Sequence, residues 1–182
     1  MILKKINEDL KKGNYDDILF SDEARFGTNT KLGYGWFKKG ERPRVKIKIG
    51  YLSFYIYAAI SAITGENFSA SFPYVNTHCM NEFLECLSEK YKGKKIALII
   101  DGAGWHKSKT LKIPENIDIF ILPPYSPELN PTERFWQFVK QNVFYNKFFE
   151  ALEPLEKCIE TFINSLQNST IAQICKNKYL DV

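Results

Sequence analysis

The chain is poor in the residues that carry soft-metal and nucleophile chemistry. It has two histidines and four cysteines. The cysteines (Cys79, Cys86, Cys158 and Cys175) include no C-x-x-C pair, which argues against a zinc module. All four fall in segments that read as helix, where buried free thiols are expected. No Ser/His/Asp arrangement or Cys–His nucleophile site is evident, and Gly102-Ala-Gly104 is too short to be a dinucleotide-binding loop. The longest apolar run, around Ile96 to Ile100, is strand-sized and too short to span a membrane. The N-terminus lacks the apolar core of a secretion signal. Internal repeats and low-complexity segments are missing as well. These absences predict a cytoplasmic protein with no membrane role.

What is present fits one globular domain. A length of 182 residues is enough to bury a real core. An aromatic share of 15% predicts that this core is rich in Phe and Tyr. The net charge of +4 is mild, but it is unevenly spread. Lys38, Lys39, Arg42, Arg44, Lys46 and Lys48 cluster against a single acid, Glu41. Such a cluster suits a polyanion; the alternative is a solvated strand face.

Residues 1–15 read as a short polar helix or a linker, and residues 16–182 as the domain proper. Asp17-Ile-Leu-Phe-Ser-Asp-Glu reads as a buried strand with Asp22 at its C-terminal end. From Arg44 to Ile49 charged and apolar residues alternate, which predicts a strand with one basic, wet face. Tyr51 to Ile63 reads as a central strand, turned by Thr64-Gly65-Glu66-Asn67 into a partner, Phe68 to Tyr74. Asn76 offers an N-cap for an amphipathic helix over 78–91. Lys95-Ile-Ala-Leu-Ile-Ile-Asp101 is apolar on both faces, as a strand covered on both sides requires. A short helix over 107–112, a strand over Ile117 to Leu122, a helix from Pro131 and a last helix near 151–167 complete the order. The pattern is that of a mixed α/β sheet.

Asp22 and Asp101 each end an apolar strand. On neighbouring strands they would emerge at one edge, where open α/β sheets place their sites. Two carboxylates about 4 Å apart repel by roughly 4 kcal/mol at an effective dielectric near 20. A divalent cation removes that penalty, and all-oxygen ligands select Mg²⁺ or Mn²⁺. Glu133, in the first turn of the helix from Pro131, would be a third ligand, enough for two ions and in-line phosphoryl transfer. Each acid also has a plain reading. Glu133 with Asn130 could be a capping box, and Asp101 before Gly102 a turn residue. Glu23 competes with Asp22, but a strand points only one of them inward. Glu128 competes with Glu133 from an exposed loop. His106 could serve the site or close its loop, and His78 is incidental. Tyr34 or Trp36 could stack on an unpaired base, or Trp36 could be buried.

Three blocks resemble the signatures of the DDE transposases, in the bacterial insertion-sequence branch of the mariner superfamily. They are Ser21-Asp-Glu-Ala-Arg-Phe-Gly27, Asp101-Gly-Ala-Gly-Trp-His106 and Leu122-Pro-Pro-Tyr-Ser-Pro-Glu-Leu-Asn-Pro-Thr-Glu-Arg-Phe-Trp136. The block from Gly35 to Arg44 is similar too. The resemblance implies a ribonuclease H-like fold, a mixed five-stranded sheet flanked by helices. It implies that Asp22, Asp101 and Glu133 form a metal-binding triad for Mg²⁺ or Mn²⁺, with two ions. It implies DNA cleavage at element ends and strand transfer into target DNA, typically at a TA dinucleotide, by a homodimer associated with the nucleoid. Full-length relatives carry a helix-turn-helix segment ahead of this domain, so the chain resembles a catalytic domain alone. The basic cluster would then hold DNA phosphates. Two other readings stay open: another ribonuclease H-like nuclease, or a non-catalytic DNA-binding remnant.

Overall fold

The apolar runs of the sequence build five strands, and the order of those strands sets the position of every acid of interest. A computed structural model of the protein describes residues 2–41, 44–102, 110–124, 126–177 and 180. The strands are β1 (Asp17–Gly27), β2 (Ser53–Ser61), β3 (Asn67–Phe72), β4 (Ile96–Ile100) and β5 (Ile117–Ile121). They form one sheet in the order β3-β2-β1-β4-β5. β2 pairs antiparallel with β1 and β3, whereas β4 pairs parallel with β1 and β5. The sheet is therefore mixed, as the residue pattern predicts, and five-stranded, as the resemblance implies.

Helices cover both faces. They are α1 (Ile2–Lys11), α2 (Thr77–Lys90), α3 (Thr132–Val139), α4 (Leu152–Ser165) and α5 (Asn168–Cys175). Because strand side chains alternate, β1 splits cleanly. Ile18, Phe20, Ala24 and Phe26 face α3, α4 and α5 in one core with Phe135, Val139, Leu155, Ile159 and Ile171. Leu19 faces the other way, onto Met80, Phe83, Leu84 and Leu87 of α2. Burial of each such side chain contributes about 1.5–3 kcal/mol. α1 joins the first core: Leu3 and Ile6 are fully buried. Asn76 caps α2 as expected, accepting from the Cys79 amide at 2.9 Å.

Several expectations need correction. β1 does not stop at Asp22 but runs on to Gly27, because β2 continues to pair with it after β4 has ended. The basic stretch from Arg44 to Ile49 is not a strand. The sheet's edges are β3 and β5 and it pairs with neither, so Ile47 and Ile49 stand exposed. Instead the described residues of 28–52 lie in one long excursion between β1 and β2. Its base is closed by the Thr28 amide on the Leu52 carbonyl (3.1 Å) and the Thr30 amide on the Lys48 carbonyl (2.9 Å). Residues 110–114 are not helical, and the remainder of the expected short helix lies outside the described residues. The expected last helix near 151–167 is α4, and beyond it, after a break at Leu166–Gln167, the tail forms a further helix, α5, that the sequence reading did not anticipate. Cys79 and Cys175 are buried free thiols, but Cys86 is exposed.

Candidate active site

The parallel ladder between β1 and β4 pairs Phe20 with Ile99. The ladder ends there; continued by two residues, the same register would bring Asp22 opposite Asp101, and the charge of Asp101 does act on Asp22. Side-chain parity puts both on one face: Asp22 shares it with Phe20 and Ala24, and Asp101 with Ala97 and Ile99. That is the face α3 covers. Glu23 belongs to the opposite parity, so alternation alone separates the two neighbouring acids. Glu133 lies in the first turn of α3 and is exposed, as is Asp101.

The turn that delivers Glu133 is tied to β1 by side chains. Thr132 is fully buried, and its hydroxyl donates to the Phe20 carbonyl at 3.1 Å. Asn130 is also buried, and its Nδ2 donates to the Ser21 carbonyl at 3.2 Å. The Oδ1 of Asn130 accepts from the Thr132 amide at 3.1 Å. Asn130 therefore supports the helix start, but in an arrangement other than the expected capping box with Glu133. Glu128 is exposed in the preceding single turn of 3₁₀ helix.

Asp22 feels the whole acidic group. Burial pushes its carboxyl up to about 7; the charges of Glu23, Asp101 and Glu133 push the same way, and only the Glu23 amide opposes them. The three acids thus share one field at one end of the sheet. Among the described residues no group of three His, Cys, Asp or Glu side chains is assembled as a ready cage for a metal. The donor chemistry is nonetheless all-carboxylate, which suits a hard divalent cation.

One basic residue here escaped the sequence reading. α3 runs straight into a π-helical turn, Lys140–Phe144, and Lys140 sits seven residues after Glu133. That spacing, two helical turns, returns it to the same helix face. Its ammonium lies 5.6 Å from the Phe26 ring centroid. Burial lowers its pKa, Lys31 lowers it further, and Asp22 pulls it back up. Lys140 therefore stands within electrostatic reach of both Asp22 and Lys31.

The expected DNA-binding cations other than Arg42 lie on the excursion. Lys38 pairs with Glu41 at 3.1 Å, and the Lys48 ammonium donates to the Glu150 carbonyl. Lys39, Arg44 and Lys46 are exposed, and Arg42 lies outside the described residues. Tyr34 and Trp36 are fully exposed, so the buried reading of Trp36 is excluded. His78 is exposed beside Glu82 (3.3 Å) at the start of α2. His106 lies outside the described residues.

A mixed five-stranded sheet in this order, flanked by helices, is a ribonuclease H-like fold. Residues 17–156 match the model of the DDE superfamily endonucleases, and the chain belongs to that family. It is 40% identical over 102 residues to the uncharacterized protein y4pE/y4sA of Sinorhizobium fredii, covering 56% of this chain and 76% of that protein. It is 25% identical over 154 residues to an uncharacterized 39 kDa protein of insertion element IS630 from Shigella sonnei, covering 82% of this chain and 45% of that one. In fold it is similar to the Mos1 transposase of a pre-cleavage transpososome, with a TM-score of 0.70 at 11% identity, over 95% of this chain and 56% of that one. Mos1 paired-end complexes have also been solved with Mn and with Mg. The chain thus spans about half the length of the insertion-element protein and of the Mos1 chain.

Proposed function

We propose that this chain is the catalytic part of a DDE transposase, cleaving DNA at the ends of an insertion sequence and joining the freed ends to target DNA. The observation that carries this reading is that the charges of Asp101, just past the end of β4, and of Glu133, in the first turn of α3, both act on the half-buried carboxyl of Asp22. A fold gains nothing in stability from gathering like charges at a half-buried position. Family membership and the insertion-element relative point the same way.

Asp22, Asp101 and Glu133 would hold Mg²⁺ or Mn²⁺, as the Mn and Mg complexes of Mos1 suggest by analogy. A pair of such ions, when bound, supplies Lewis-acid activation of the attacking oxygen and charge relief at the leaving one. Asp22 gives up its carboxyl proton on cation binding, so binding strengthens as pH rises through about 7. Lys140, beside Asp22, would face a phosphate oxygen of the bound strand. Lys39, Arg44 and Lys46 on the excursion would hold the backbone farther out, with Lys38, Arg42 and Lys48 beside them. Work on paired ends calls for two copies of the chain, and end recognition for a helix-turn-helix segment.

The test is a nicking and strand-transfer assay on DNA carrying the element's own ends, with Mg²⁺ or Mn²⁺. Asp22→Ala, Asp101→Ala and Glu133→Ala should each lower the rate at least about 10³-fold, the scale on which a lost transition-state contact is read. Full activity in Glu133→Ala would sink the assignment. Cleavage without joining would indicate a ribonuclease H-like nuclease of another kind.

A further inference from the structure

We infer that Asn130 and Thr132 are positioning residues: they pin Glu133 to the backbone that carries Asp22, and so set how tightly the carboxylate site takes a divalent cation. The inference rests on the nuclease reading above. Both side chains are buried and polar, with Asn130 5% exposed and Thr132 0%. Buried amides and hydroxyls cost stability unless they are hydrogen-bonded, so where their bonds go is informative.

Capping alone does not account for them. A helix start needs one acceptor oxygen, which Ser, Thr or Asp supplies as well as Asn. Asn130 provides it through Oδ1 on the Thr132 amide. The remaining donors point off the helix, at β1. The Asn130 amide takes the Ser21 carbonyl and the Thr132 hydroxyl takes the Phe20 carbonyl, across separations of 109 and 112 residues. The Ser21 carbonyl is half of the peptide bond that leads into Asp22. On the helix side, Thr132 is covalently next to Glu133. Two hydrogen bonds therefore tie the backbone just ahead of Asp22 to the turn just ahead of Glu133.

The opposite flank of the turn is held as well. The Nε of Arg134 donates to the Ile174 carbonyl at 3.0 Å, and Nδ2 of Asn177 donates to the Leu129 carbonyl at 3.1 Å. The backbone around Glu133 is thus gripped by β1 and by the end of α5, while the Glu133 carboxylate is left exposed. Ligands held in place by their neighbours bind more tightly than ligands that must be ordered at the moment of binding.

The experiment uses the full chain without DNA. Binding of Mn²⁺ is read from the paramagnetic resonance of the free ion, and folding from thermal melts in chelator. The variants are Thr132→Val, Thr132→Ser and Asn130→Ser, the last retaining an acceptor for the helix but unable to reach Ser21. Loss of a pin should weaken Mn²⁺ binding about 10–100-fold in Thr132→Val and Asn130→Ser, the range seen when groups behind a metal ligand are removed. Thr132→Ser, which restores the hydroxyl, should bind like the unaltered chain. Lower melting temperatures with unchanged Mn²⁺ affinity would mean a purely structural role and would overturn the inference. If Thr132→Val fails to fold, Asn130→Ser against Thr132→Ser decides in the same way. A wild-type chain that neither binds Mn²⁺ nor cleaves DNA would remove the nuclease reading itself, and this inference with it.

Discussion

A carboxyl group half-buried beneath a helix, with Glu23, Asp101 and Glu133 in reach, keeps its proton up to about pH 7. The folded chain therefore binds that proton more tightly than the unfolded chain, where the value is 3.8. This contribution to stability is fully present below pH 3.8 and is lost as pH rises through about 7. Asp22→Asn, permanently neutral, should accordingly stabilise the metal-free protein by about 2–4 kcal/mol at pH 8, with the gap closing near pH 4. Urea unfolding in chelator at the two pH values measures it; equal gaps would contradict the burial of this charge. Much at this scale was legible beforehand. Strand alternation lets only one of Asp22 and Glu23 face α3, and an aspartate directly after the apolar run to Ile100 drew attention to Asp101. Lys140 was overlooked because one lysine on an amphipathic helix reads as solvent face; its seven-residue spacing from Glu133 was the available signal. The bonds of Asn130 and Thr132 were invisible because no local pattern names a partner more than a hundred residues away.

Among the elements, the strands and α2 followed from periodicity, and the excursion over 28–52 did not. Alternation from Arg44 to Ile49 has the right period for a strand, but a ladder also needs a neighbouring edge, which sequence alone does not supply. Besides the bond from Lys48 to Glu150, the excursion is clipped near the helices by Asn146, in the left-handed region at φ 60°. Its amide donates to the Lys31 carbonyl (2.9 Å), its Oδ1 accepts from the Gly33 amide (3.0 Å), and its Nδ2 donates to the Gly33 carbonyl (3.0 Å). Asparagine tolerates this backbone better than other non-glycine residues. Asn146→Ala loses two side-chain bonds and adds backbone strain, for a cost of about 2–4 kcal/mol. The loss should be local: the amides of Gly33 and of residue 146 should exchange with solvent far faster, while those of β4 change little. Uniformly faster exchange would mean that the clip supports the whole fold instead. Continuation of α3 into a π-helical turn was also illegible, since nothing in Lys140–Phe144 distinguishes it from ordinary helix.

At the scale of the whole molecule, the charge of +4 is too small to hold a polyanion by itself, so its placement matters. The exposed lysines and arginine of the excursion lie on a segment without regular structure, beside exposed Tyr34, Trp36 and Tyr51. Replacing Lys39 and Lys46 together by Ala should weaken binding to any duplex alike and flatten the plot of log affinity against log salt by about 1–2. An unchanged slope would move the DNA path to another face. Among the described residues no helix is long and apolar enough to cross a membrane.

The pairing of β1 with two neighbours has one more consequence. Its parallel register with β4 ends at Phe20, two residues short of Asp22, while its antiparallel register with β2 runs through Asp22 to Gly27. The strand thus behaves as a reading frame. Removal of any one residue between Ile18 and Ser21, with β1 still paired by its N-terminal end, would shift the frame by one and turn Glu23 toward α3 in place of Asp22. The acid count at that edge would be unchanged, but the carboxylate would be a methylene longer, and Arg25 and Gly27 would take the core places of Ala24 and Phe26. Length changes should therefore be tolerated throughout 34–46 and forbidden over these four positions, a contrast that a scan of single-residue deletions would display directly.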